Sequence, residues 1–100
     1  MLRHIVMWSF HDQAEGADKA TNVEKARQAL LAFKTLVPGI HGFEVGTAQP
    51  GLDCTADLVL NMLLQDAQTL SAYQLHPDHA AIKPFMKAVV AKRQCMDFEV

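Results

Sequence analysis

Two segments of this chain alternate like β-strands yet are apolar on both faces, and this limits what the chain can fold into. In residues 2–10, His4, Val6, Trp8 and Phe10 share one face, and Ile5 and Met7 share the other. In residues 56–65, Leu58, Leu60 and Met62 oppose Val59 and Leu63, with Asn61 the polar exception on that second face. A strand with one apolar face needs one covering layer, and a strand with two needs a layer on each side. The fold must therefore place these strands in a sheet covered twice.

The remaining segments supply the first cover. Residues 19–36 read as a helix whose stripe of Val23, Ala26, Leu30, Phe33 and Leu36 recurs at helical spacing, with Asp18 or Thr21 able to cap it and Pro38-Gly39 ending it. Residues 40–48 read as a strand, with Phe43 and Val45 opposing Glu44 and Gly46. A turn-rich loop through Pro50-Gly51 leads into the 56–65 strand, so the two form a hairpin. Asp66 caps a helix through about residue 75, and Pro77 breaks it. A further helix runs over 78–91, kinked or restarted at Pro84. Residues 93–99 close as a strand, with Met96 and Phe98 on one side and Asp97 and Glu99 on the other.

The resulting order, β-α-β-β-α-β, is an α+β, ferredoxin-like arrangement: a four-stranded antiparallel sheet with helices on one face, formed by one domain over residues 1–100. Right-handed crossovers put both helical layers on the same side. The other face, with Ile5, Met7, Val59 and Leu63, then has no cover within the chain. Each such side chain is worth about 1.5–3 kcal/mol when buried. A second copy of the same sheet is the economical cover, so a homodimer through the sheet face, a dimeric α/β barrel, is expected.

Composition excludes several roles. A formal charge of −2 offers no basic field for nucleic acid or anionic lipid, and Lys87, Lys92 and Arg93 read as a solvated helix end. No apolar run reaches the roughly 18 residues of a membrane span, and no signal-peptide pattern opens the chain, so a cytoplasmic location is expected. Cys54 and Cys95 are too far apart for a CxxC site and are expected as reduced thiols.

Four stretches, RHIVMWSF, VPGIHGFEVG, LSAYQLHPDH and CMDFEV, together resemble the stress-responsive dimeric α/β-barrel (Dabb) family over nearly the whole chain. The run from Tyr73 to His79 is the most specific part. The resemblance implies a homodimer with a central barrel. It also points to a plant polyketide cyclase of that family, which closes a linear polyketide by an aldol-type reaction in a pocket between sheet and helices. The catalytic Tyr and His of that relative fall on Tyr73 and His79, and its strand-one His falls on His4. Its pocket aromatics on the first helix are replaced here by Ala26, Arg27 and Leu30, and a His on its third strand by Leu58, so its substrate does not carry over.

The residue types suit enolate chemistry. An imidazole near pKa 6.5 takes a proton at neutral pH, and a phenol donates a hydrogen bond to a carbonyl oxygen as it becomes an enolate. His79 is the expected base, Tyr73 the oxygen donor and His4 a polar group in a pocket lined by Val6, Trp8, Leu60 and Met62, with Tyr73 and His79 at its mouth. The structural alternatives are concrete. His76 and His79 flank Pro77 at a helix junction, where an imidazole can cap a helix, His4 can be a satisfied core histidine, and Tyr73 an ordinary core aromatic. His11 and His41 read as solvated. His76, Asp78 and His79 have poor metal-ligand spacing, and no haem motif is present, so no metal and no cofactor are expected. Two readings stay open: a small-molecule-binding dimer with cyclase- or lyase-type chemistry, and a non-catalytic stress-related or structural dimeric module.

Overall fold

The computed structural model describes residues 1–100. Strand β1 (Leu2–Phe10) is followed by a two-residue hairpin, β2 (Gln13–Ala14) and β3 (Ala17–Asp18), then helix α1 (Lys19–Leu31). Strands β4 (Ile40–Thr47) and β5 (Leu58–Leu64) form the central hairpin. Short helices α2 (Ala67–Leu75), α3 (Pro77–Ala81) and α4 (Lys83–Val89) lead into β6 (Val90–Glu99). The main sheet runs β4-β5-β1-β6 with every neighbouring pair antiparallel. This is the expected ferredoxin-like α+β fold.

The small hairpin stands where the sequence reads as polar loop. Glu15 and Gly16 both take positive φ, 52° and 72°, the backbone that a tight two-residue hairpin demands. Asn22, buried on α1, donates its Nδ2 to the Ala14 carbonyl at 3.0 Å and so ties the hairpin to the helix. Helix α1 ends at Leu31 rather than 36. Beyond it the backbone tightens to i→i+3 bonds, Phe33 N to Leu30 O at 2.9 Å and Leu36 N to Phe33 O at 3.0 Å, which turns Phe33 into the core. The helix expected over 78–91 divides at Ile82, because Pro84 cannot continue the ladder, and yields to β6 three residues earlier than expected.

The core lies between the sheet and the helices. Val6, Trp8 and Phe10 from β1 meet Leu58, Leu60, Met62 and Leu64 from β5, with Ala26, Leu30, Phe33, Tyr73 and Val89 above them. The opposite face is open. Met7, Met96 and Phe98 are exposed there, and Ile5, Val59 and Leu63 are half-buried. One polar rung crosses it: Arg3 donates to Asn61 Oδ1 at 3.3 Å, and Asn61 donates to Glu44 Oε1 at 3.4 Å. No helix is long and apolar enough to cross a membrane.

Candidate functional site

The first two turns of α2 are set by Asp66, which accepts from Thr69 N at 2.8 Å, and the helix turns Tyr73 inward as its one buried residue. At the next junction His76 Nδ1 accepts from Asp78 N at 3.1 Å, and Pro77 fills the first helical position of α3. His76 thus performs the capping task open to it, and the turn brings His79 back beside Tyr73. Their ring centroids lie 4.8 Å apart in an edge-on arrangement. Phe33 closes the third side, 6.2 Å from Tyr73 and 5.8 Å from His79.

Tyr73 and His79 border a cavity of about 760 Å³ between the helix-facing side of the sheet and α2–α4. Val6, Trp8, Leu60, Tyr73, His79 and His4 all line it. Met62 does not. It is fully buried in the core under the helices, because the cavity lies over β1 and β6 and takes only Leu60 from β5. Tyr73 also departs from its expected place at the mouth: it is fully buried in the wall.

Two of these lining residues each carry a polar atom without a partner. Tyr73 Oη and His79 Nδ1 are buried and make no hydrogen bond. Leaving such a group unsatisfied typically costs about 1–3 kcal/mol. Burial pushes the Tyr73 phenol above its ordinary pKa, so it stays protonated and able to donate. Burial, and after it the positive charge of Lys83, His4 and Arg93, holds His79 below the usual imidazole range, so it is neutral at pH 7 with a lone pair available.

His4 is almost fully buried, and its Nδ1 is hydrogen-bonded to the Asp97 carboxylate, its partner across the β1–β6 ladder. Cys95 Sγ lies 3.9 Å from the same nitrogen. His4, Cys95 and Asp97 bring their ligating atoms within 4.8 Å of one another, the one trio able to hold a metal ion. The trio considered from sequence is not assembled, since His76 spends Nδ1 on its cap while His79 turns into the cavity. Sequence alternation put Asp97 and Phe98 on opposite faces but could not say which strand, or which residue, Asp97 would meet.

Also unforeseen is where the cations stand. Lys83 and Lys87 from α4, and Lys92 and Arg93 from β6, are exposed, as expected of the last three, but stand at the edge of the same cavity, because the chain enters β6 at Val90 and folds back along β1.

The family model described as Stress Responsive A/B Barrel Domain matches residues 2–100. Among solved structures, a dimeric ferredoxin-like protein of unknown function from Thermobifida fusca superposes with a TM-score of 0.84 at 23% identity, covering 99% of this chain and 90% of that one. A dimeric protein of unknown function and ferredoxin-like fold from Bacteroides fragilis gives 0.82 at 24%, covering 99% and 95%. A Dabb family protein from Mesorhizobium loti gives 0.68 at 21%, again covering 99% and 95%. No curated protein matches.

Proposed function

We propose the following for this chain, which belongs to the stress-responsive A/B barrel domain family: it is a homodimer that binds a small, largely apolar carbonyl compound between sheet and helices and abstracts a proton α to that carbonyl. The observation that carries the reading is the pair of unpartnered buried atoms, Tyr73 Oη and His79 Nδ1, on two adjoining residues that line one cavity. A carbonyl oxygen accepting from Tyr73 relieves one of them, and a proton taken from the adjacent carbon relieves the other. The enolate then adds to a second carbonyl of the same molecule, and the imidazolium returns its proton to the new alkoxide, the balance of an intramolecular aldol closure. His4, whose Nδ1 is held by Asp97, keeps its ring fixed against the cavity. The dimer is supported by the open apolar face and by the dimeric state of the Thermobifida and Bacteroides proteins.

The test is exchange of the α-protons of a medium-chain β-keto ester in deuterated buffer. The wild type accelerates exchange, and His79→Ala loses about 10²–10⁴-fold, the usual worth of a positioned base. Tyr73→Phe slows exchange while unfolding at the same or a higher urea midpoint, since it removes an unsatisfied hydroxyl. Binding without acceleration over buffer, read from the fluorescence of Trp8, leaves the non-catalytic ligand-binding module as the function.

A further inference from the structure

The cavity is not electrically neutral. Its lining includes the cations Lys83, Lys87 and Arg93 and no carboxylate, whereas Lys92, also at its edge, pairs with Ser9 and so takes the other face of the sheet. The chain as a whole has nine Lys and Arg against eleven Asp and Glu, so three cations around one opening run against its average. None of the three forms an ion pair. The salt bridges of the chain use Lys19, Arg27 and His4, and Asp97, the acid next to this wall on β6, is bound to His4. Three like charges held together repel one another, and a counter-charge between them relieves that repulsion. Deeper in, the wall is apolar, with Val6, Trp8 and Leu60.

We infer that the cavity selects a ligand with an apolar body and an anionic head, a carboxylate or a phosphate, with the head held at the mouth by Lys83, Lys87 and Arg93. The inference rests on the binding half of the function proposed above and is independent of turnover. A low-dielectric cleft lined by one sign of charge focuses its field on the entrance, so the cations guide the head while the body displaces water from the apolar wall. Arg93 presents a fork suited to the two oxygens of either head group, and the lysines act as point charges. The same anion would offset the positive charge that depresses His79, so an anionic substrate would make its own base stronger.

Trp8 is the only tryptophan and lies in the cavity wall, so its fluorescence reports occupancy directly. Octanoate, octyl phosphate and 1-octanol, each below its micellar concentration, are titrated into the intact protein at 20 and 300 mM NaCl. At low salt at least one of the anions binds about tenfold or more tighter than octanol. High salt closes most of that gap, since the rim charges are exposed and screened over a Debye length of about 10 Å or less. Whichever anion binds tighter identifies the head group. The triple variant K83Q/K87Q/R93Q loses the anion preference while keeping octanol affinity and the wild-type urea midpoint. Equal affinity for all three probes, or an anion preference that survives the triple variant, overturns the selection of an anion but leaves the binding cavity standing. Failure of every probe to perturb Trp8 overturns both.

Discussion

At the scale of single residues, the site is built from groups that would be more comfortable elsewhere. His79 is the clearest case. Its Nδ1 is buried without a partner, and burial together with Lys83, His4 and Arg93 depresses its pKa below the ordinary value near 6.5. In the unfolded chain that depression disappears, so below about pH 6.5 the unfolded state binds more protons than the folded one. Stability therefore falls as pH drops through this window and is unaffected by this group above it. Urea unfolding at pH 7.5 and 5.5 checks this: the wild type loses more stability between the two than His79→Gln does. An identical loss in both would mean that the imidazole is not held neutral by its surroundings.

At the scale of elements, the placement of α2 depends on a crowded turn. Gly39 has φ of +94°, and a Cβ there would lie 2.8 Å from Thr69 Oγ1. That hydroxyl donates to Asp66 at 2.9 Å, in the cap that starts α2 and so aims Tyr73. Gly39→Ala is expected to destabilise by about 1–3 kcal/mol, combining a left-handed backbone with displacement of the cap. Gly16→Ala is the control, because its φ of +72° carries the backbone cost but no atom lies within 4 Å of the added Cβ. Denaturant midpoints for the two variants separate the contributions. The sequence already marked these joints, through Pro38-Gly39, Asp66 and Pro77. It overran α1 by five residues because apolar spacing continues through Phe33 and Leu36 after the hydrogen bonds have switched to the tighter i→i+3 pattern.

At the scale of the whole molecule, one face of the sheet stands open. Ile5, Val59 and Leu63 are only half-buried there, and Met7, Met96 and Phe98 are exposed. The Arg3–Asn61–Glu44 rung gives that face one polar register mark among apolar neighbours. If two such faces pack together, Val59→Asp buries an unpaired charge at the contact and should shift the protein from dimer to monomer in sedimentation equilibrium, with the helix-side cavity intact. A wild-type chain that sediments as a monomer at high micromolar concentration would end the dimer proposal.

What the sequence determined by itself was whatever depends on neighbours along the chain. Alternation assigned His4, Val6, Trp8 and Leu60 to one face, end signals located the helices, and the run from Tyr73 to His79 drew attention to the two residues now found 4.8 Å apart. Only the tertiary structure decided what meets across the chain. It paired His4 with Asp97, 93 residues away, withdrew Met62 from the cavity into the core, sank Tyr73 into the wall, and gathered Lys83, Lys87 and Arg93 from α4 and β6 around one cavity. The reason is physical: a strand's period fixes which face a side chain takes, but register and layer packing fix its partners, and those are set by burying the whole core at once.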